Sequence, residues 1–153
     1  MFFELTEEQQ LVQDTARRFA EEDILPSQAE EEKAHEFRQD RVERMGELGF
    51  LSCVLPEELG GNGMGFFESV LMAEQIAEVS ASWRLPFNMQ NLGAPLSVAK
   101  FGTDEQKEKY ISGWIEGKKM GFFAMTESNT GSDVASMKTH AIDKGDHWEL
   151  NGS

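Results

Sequence analysis

The chain has 153 residues, with 14 Lys plus Arg against 28 Asp plus Glu, so its formal charge is −14. At 39% hydrophobic residues it can bury a core, and its length suits one domain or two small ones. Such acidity argues against nucleic-acid binding, which needs clustered Lys and Arg, and against docking on an anionic leaflet.

No apolar run approaches the ~20 residues of a membrane span. Met1-Phe2-Phe3-Glu4 lacks the charged and apolar regions of a signal segment. One cysteine, Cys53, cannot form an internal disulfide, which fits a reducing compartment. The expectation is a soluble, cytoplasmic, acidic protein. Residues 1–60 carry 16 acidic and 6 basic side chains, and residues 61–153 carry 12 and 8. The first block reads as solvated helix faces or as a device for partner choice. Either way, an anionic ligand needs a local cation or backbone donors, because the overall field repels it.

Thr6-Glu7-Glu8-Gln9 has the form of a capping box, and Leu11, Val12, Thr15 and Phe19 follow at helical spacing. Pro26 interrupts, and Ser27 is placed to cap a second, strongly charged helix running to about Phe37. A third helix spans Arg38 to Leu48, with Gly49 placed to end it. Phe50 to Leu55 is apolar but too short for a full helix, and residues 56–65 form a glycine-rich loop. Phe66 to Ala81 reads as a buried helix with Phe67, Val70, Leu71, Ile76, Ala77 and Val79 on its apolar face. Leu85 to Phe101 reads as a central helix, apolar nearly all round, kinked near Gly93 and Pro95. After Gly102 as a stop, Thr103-Asp104-Glu105-Gln106 is a second capping box. It opens a helix to about Glu116 with Tyr110, Ile111, Trp114 and Ile115 inward.

From Gly117 the pattern changes to strands. Phe122 to Thr126 is strand-like, Thr130-Gly131-Ser132-Asp133 is turn chemistry, and Lys138 to Asp143 alternates as a strand. Lys144-Gly145-Asp146 is a hairpin turn, and His147 to Leu150 returns. So small a sheet is not stable alone. The chain is expected to break off inside a β domain, leaving apolar strand surface exposed and prone to association. The fold class is therefore α+β: an all-helical domain of about six helices over residues 1–117, then the truncated start of a β domain over 118–153.

His35, His140 and His147 lack metal-site spacing, and Gly60 to Gly65 follows no βα unit, so it reads as a turn rather than a phosphate loop. Cys53 sits among apolar residues with no neighbouring base and reads as an inert thiol. Phe122 to Asp133 is different. An apolar strand enters a loop of Thr, Ser, Asn and Gly, which presents N–H groups and hydroxyls together. Such a loop serves an anion or a polar ring edge, and the same residues also serve a plain hairpin.

Ala124-Met125-Thr126-Glu127-x-x-x-Gly131-Ser132-Asp133 resembles the first signature of the acyl-CoA dehydrogenase family. Leu48 to Leu51 with Pro56 to Gly61, Phe101 to Lys107 with Tyr110, and Asp146 to Gly152 resemble further family segments in the same order. Thr130 and Ser128 depart from the commonest residues at their positions, which touches local loop shape.

The resemblance implies an α+β protein whose second part is the start of a β-barrel-like middle domain. It implies FAD between helical and β domains and oxidation of an acyl-CoA thioester between its α and β carbons. By resemblance Phe123, Met125, Thr126, Gly131 and Ser132 line the flavin, and Ser132 also reaches the acyl-CoA. The family's catalytic carboxylate lies in a C-terminal helical domain, so no carboxylate of this chain takes that role, and the chain alone is expected to be inactive.

Ser80 to Leu85 resembles the place where the glutaryl-CoA dehydrogenase branch has an arginine for the substrate's distal carboxylate. Arg84 is then either that carboxylate ligand or a solvated packing residue. Leu85 stands where that branch has serine, which leaves decarboxylation open. Family membership further implies an electron-transfer flavoprotein as acceptor and a homodimer or homotetramer. It implies the mitochondrial matrix if the source is eukaryotic, although no transit peptide is seen. The alternatives are an acyl-CoA oxidase-like flavoenzyme and a non-catalytic helical interaction domain.

Overall fold

The computed structural model describes residues 4–153, so the reading of Met1 to Phe3 lies outside the described residues. The chain divides into two units, Met1–Phe122 and Phe123–Ser153, each with its own contacts.

The helical unit begins with α1 (Glu7–Phe19), closed at its N-terminus by the full capping box. The Thr6 hydroxyl accepts from Gln9 N–H at 3.2 Å, and Gln9 Oε1 accepts from Thr6 N–H at 3.1 Å. A π-helical turn, Ala20–Ile24, extends α1. Then follow α2 (Gln28–Ala34), α3 (Gln39–Glu47) and two single 3₁₀ turns, Phe50–Ser52 and Glu57–Leu59. Next come α4 (Phe66–Val79), α5 (Ala81–Asn88), a π turn Met89–Gly93, α6 (Ala94–Phe101) and α7 (Asp104–Ile115). The second capping box is also complete, with Thr103 and Gln106 exchanging bonds at 2.9 and 3.2 Å.

Several bounds differ from the sequence reading. The second helix stops at Ala34 because His35 takes the left-handed conformation at φ 56°. Ser27 stands at the N-cap position of α2, but its hydroxyl caps nothing. It donates to Glu31 Oε1 at 2.6 Å instead. The central helix starts earlier, at Ala81, because the Ser80 hydroxyl accepts from Trp83 N–H. The expected kink is the π turn, where Gly93 leaves helical geometry and Pro95 enters the first turn of α6. On α7 only Ile111 is buried, and Tyr110, Trp114 and Ile115 are half-buried. Apolar residues of α4 fall on two faces: Leu71, Met72 and Ile76 are buried, whereas Phe67 and Val70 are exposed.

The core gathers Phe19, Ile24, Val42, Met45, Phe50, Leu51, Cys53, Ile76 and Phe87. Phe19 meets Phe50 edge to face at 5.5 Å, an arrangement that suits opposed ring quadrupoles. Gly49 ends α3 at φ 73°, where a side chain would be strained. The glycine-rich loop folds back on residues 52–55, and a Cβ at Gly61 would stand 2.0 Å from Leu55 O. Glycine is required there by close backbone approach.

A buried ion pair ties α2, α3 and α5 together. Arg41 donates to Glu31 through Nη1 at 2.5 Å and Nη2 at 2.9 Å, and the two side chains are only 4% and 7% exposed. Nη2 also donates to Ser27 Oγ at 3.0 Å, and Arg38 Nη1 reaches Glu31 Oε1 at 3.3 Å. The Arg41 guanidinium lies 4.6 Å from the centre of the Trp83 ring, whose plane stacks against Phe37 at 5.4 Å. A desolvated charge is tolerated because both Nη atoms meet acceptors and the guanidinium lies against a π surface.

The second unit holds a two-stranded antiparallel ribbon, β1 (His140–Asp143) and β2 (Trp148–Asn151), in register His140 with Asn151 and Asp143 with Trp148. Gly145 at φ 93° and the Lys144 N–H to His147 O bond of 3.0 Å turn the chain between them. All eight strand residues are exposed, and Trp148 and Leu150 share one face at 65% and 75% exposure. The expected strand Phe122 to Thr126 is not one. Among the described residues no chain lies beside it to supply a ladder, and apolar composition cannot replace those hydrogen bonds.

The Arg41 hydrogen bonds hold the Glu31 carboxyl below the usual carboxylate range. A carboxyl lowered in the folded state stabilises above its unfolded pKa, about 4.3, and loses that contribution as pH falls through the folded value. Urea unfolding followed from pH 7 to pH 3 is expected to show stability falling below about pH 4.3. Glu31→Gln is expected to show lower stability at pH 7 and a pH slope shallower by up to about one proton.

Candidate functional site

Phe123, Met125 and Thr126 lie along an extended stretch, with Phe123 51% and Met125 47% exposed and Thr126 exposed. Among the described residues, the main-chain N–H groups from Phe122 to Thr126 donate to nothing in the protein, and neither does the Thr126 hydroxyl. Unspent donors beside exposed apolar side chains form the chemistry that receives a flat heteroaromatic ring with polar edges. The stretch enters a tight turn in which Glu127 and Thr130 exchange main-chain bonds at 3.0 and 3.1 Å. Beyond Thr130, which is buried, Gly131 and Ser132 are exposed. No atom lies within 4 Å of a Cβ built at Gly131, so its α-carbon faces open space. These residues fit a flavin edge: the donors are free, and the glycine leaves the backbone approachable.

Arg84 and Leu85 adjoin on α5, in the helical unit. Arg84 is half-buried and Leu85 is 52% exposed. Arg17, Arg38, Arg41 and Arg44 each pair with a carboxylate, but Arg84 has no ion pair among the described residues. Arg18 also has no ion pair among the described residues but is exposed, so Arg84 is the half-buried arginine whose guanidinium is not engaged by a carboxylate. Buried one residue before it, Trp83 fixes its place on the helix by packing on Arg41.

Cys53 is fully buried, and burial pushes its thiol up to about 11, so it is not a nucleophile at neutral pH. Among the described residues no three His, Cys, Asp or Glu side chains gather to hold a metal. No helix among them is long and apolar enough to cross a membrane.

Two residues that matter here are absent from the sequence reading. Gln90 and Asn91 are fully buried on the π turn. Gln90 Nε2 donates to Lys119 O at 2.7 Å, and its Oε1 accepts from Gly121 N–H at 2.8 Å. One amide thus acts as a one-residue strand partner for the chain two residues before Phe123. Asn91 donates to Ser69 Oγ at 2.7 Å and holds the turn against α4. A Gln-Asn pair inside an otherwise apolar helix was the available signal. Gln90→Leu orphans the buried Gly121 N–H and is expected to cost about 1–3 kcal/mol in urea unfolding.

The acyl-CoA dehydrogenase N-terminal domain family matches residues 6–118. A glutaryl-CoA dehydrogenase of Desulfococcus multivorans is 38% identical, covering 100% of this chain and 40% of that protein. The mitochondrial isovaleryl-CoA dehydrogenase of Bos taurus is also 38% identical, over 97% of this chain and 35% of its own length. A solved acyl-CoA dehydrogenase from Bacillus anthracis, complexed with FAD, superposes with TM-score 0.89 at 31% identity. It covers 97% of this chain and 26% of that one. The chain therefore spans about two fifths or less of the length of these relatives. Capping boxes, helix order, signature loop and these matches agree: the chain belongs to the acyl-CoA dehydrogenase family, of which it carries the N-terminal portion.

Proposed function

We propose that this chain is the N-terminal part of an FAD-dependent acyl-CoA dehydrogenase that oxidises an acyl-CoA thioester to the α,β-enoyl-CoA. The observation that carries the reading is the exposed stretch Phe123 to Thr126, with its free N–H donors, running into the open backbone at Gly131. FAD, when bound, supplies the acceptor for a hydride leaving the β carbon. Phe123 and Met125 offer apolar contact to the ring, and the Thr126 hydroxyl and main-chain N–H groups offer donors to its polar edge. Ser132 offers a hydroxyl to flavin or thioester. The FAD complex of the B. anthracis relative supports this cofactor.

No base is assigned in this chain. Glu127, the carboxylate nearest the loop in sequence, is engaged by main-chain N–H groups, which leaves it unsuited to proton abstraction.

For the substrate we propose a dicarboxylyl thioester such as glutaryl-CoA. Arg84 without an ion pair supports it, and so does the D. multivorans relative, although the isovaleryl-CoA relative is equally identical. A bidentate guanidinium recognises a terminal carboxylate that a neutral acyl chain lacks. An electron-transfer flavoprotein as acceptor, and a homodimer or homotetramer, rest on the family resemblance. A reducing compartment, the cytoplasm or the mitochondrial matrix, suits the lone Cys53 thiol.

Anaerobic addition of glutaryl-CoA to the full-length protein is expected to bleach its visible flavin band. Arg84→Met is expected to raise KM at least tenfold for glutaryl-CoA and little for butyryl-CoA. Absence of flavin contradicts the enzyme reading, and equal effects on both thioesters contradict the substrate reading.

A further inference from the structure

Glu127 stands at the base of the Gly131–Ser132 loop and is tied into it twice. Its main chain exchanges two hydrogen bonds with Thr130, closing the near side. Its carboxylate reaches across the loop to the far side, where Oε2 accepts from Lys138 N–H at 2.9 Å and Oε1 from Thr139 N–H at 2.6 Å. Lys138 N–H is shared with Oε1 at 3.2 Å. Lys138 and Thr139 lie immediately before β1, so the carboxylate joins the loop's start to the ribbon's first strand.

Nothing else in the second unit spans the loop in this way. Between these ends the chain has only a 3₁₀ turn, Val134–Ser136, stitched locally by Asp133 and Ser136. The loop carries little apolar packing: Val134 is 41% exposed, and Gly131 and Ser132 are exposed. A loop so thinly packed owes its shape to its polar closures. The hydrogen bonds from Thr139 and Lys138 also keep the Glu127 carboxyl below the usual range, so it stays an acceptor at physiological pH.

Resting on the flavin reading above, we infer that Glu127 is a positioning residue that clamps the 128–137 loop into the shape presenting Gly131 and Ser132 to the flavin. It acts through the main chain of residues 130, 138 and 139, not by contact with the cofactor. The clamp needs two acceptor oxygens on a side chain long enough to span to residue 139. Glutamine retains one acceptor and one geometry, whereas alanine retains neither. Aspartate keeps both oxygens but is one methylene short.

The test is made on the full-length protein with three variants, Glu127→Ala, Glu127→Gln and Glu127→Asp. Two quantities are read: the dissociation constant of FAD from the stripped apoprotein, by quenching of flavin fluorescence, and amide hydrogen exchange at Thr130, Lys138 and Thr139. Far-UV circular dichroism, set mainly by α1 to α7, reports whether each variant is folded. In Glu127→Ala the FAD dissociation constant is expected to rise at least tenfold, with exchange at Lys138 and Thr139 accelerated by a similar factor. Glu127→Gln is expected to fall between alanine and the wild type. Wild-type affinity in a folded Glu127→Ala protein overturns the inference, as does unchanged exchange at residues 138 and 139. If the wild-type protein takes up no FAD, the flavin reading fails and the clamp's role toward it fails with it. That outcome is distinguished by the wild-type measurement alone.

Discussion

Three helices of the first unit meet at one buried guanidinium. Arg41 on α3 takes both oxygens of Glu31 on α2, the Ser27 hydroxyl at the start of α2, and the face of Trp83 on α5. Removing either charge leaves the other buried without a partner, which in comparable sites costs about 3–5 kcal/mol. An apolar pair of similar volume would serve stability as well. The charged pair adds direction, because a bidentate guanidinium–carboxylate contact allows one relative orientation of α2 and α3. Trp83 extends that constraint to α5, where Arg84 is the next residue. The half-buried arginine proposed for substrate is thus carried on a helix that packs against a buried one.

A related device recurs later in the chain. Gln90 holds the backbone at residues 119 and 121, and Glu127 holds it at 138 and 139. In each case a polar side chain with two suitable atoms satisfies main-chain groups that lack a ladder. The stretch Phe122 to Thr126 lies between these two anchored segments and keeps its own donors free among the described residues. A strand there would consume the N–H groups that the proposed flavin contact would use. The chain's acidity is compatible with the proposed flavin site, because backbone dipoles and hydroxyls can receive an anionic group without net positive charge.

Local features were legible in the sequence, and non-local ones were not. The boxes at Thr6 and Thr103 depend on residues three apart, and both formed as read. Gly49 ended α3 because a left-handed cap is a property of that position alone. Ser27 has the composition of a cap but spends its hydroxyl on Glu31 and Arg41, a partner 14 residues away that no local pattern reveals. Glu31 and Arg41 are lost among many similar charges until the fold buries them. Phe67 and Val70 satisfy helical periodicity, yet periodicity does not say which apolar face is covered. The strand read at Phe122 to Thr126 failed because strand formation depends on a neighbour as well as on composition. Of the site, the signature from Ala124 to Asp133 was visible as a motif, and Arg84 as an isolated cation. Gln90 was hidden, since a buried glutamine is significant only once its backbone partners are known.

If Arg41 and Glu31 act as one unit that organises α2, α3 and α5, their contributions to stability cannot be independent. A double-mutant cycle of Glu31→Gln, Arg41→Met and the double variant, measured by urea unfolding at pH 7, tests this most directly. A favourable coupling energy of about 1.5–3 kcal/mol is expected, with the double variant destabilised far less than the sum of the single ones. Additivity within about 0.5 kcal/mol would contradict it.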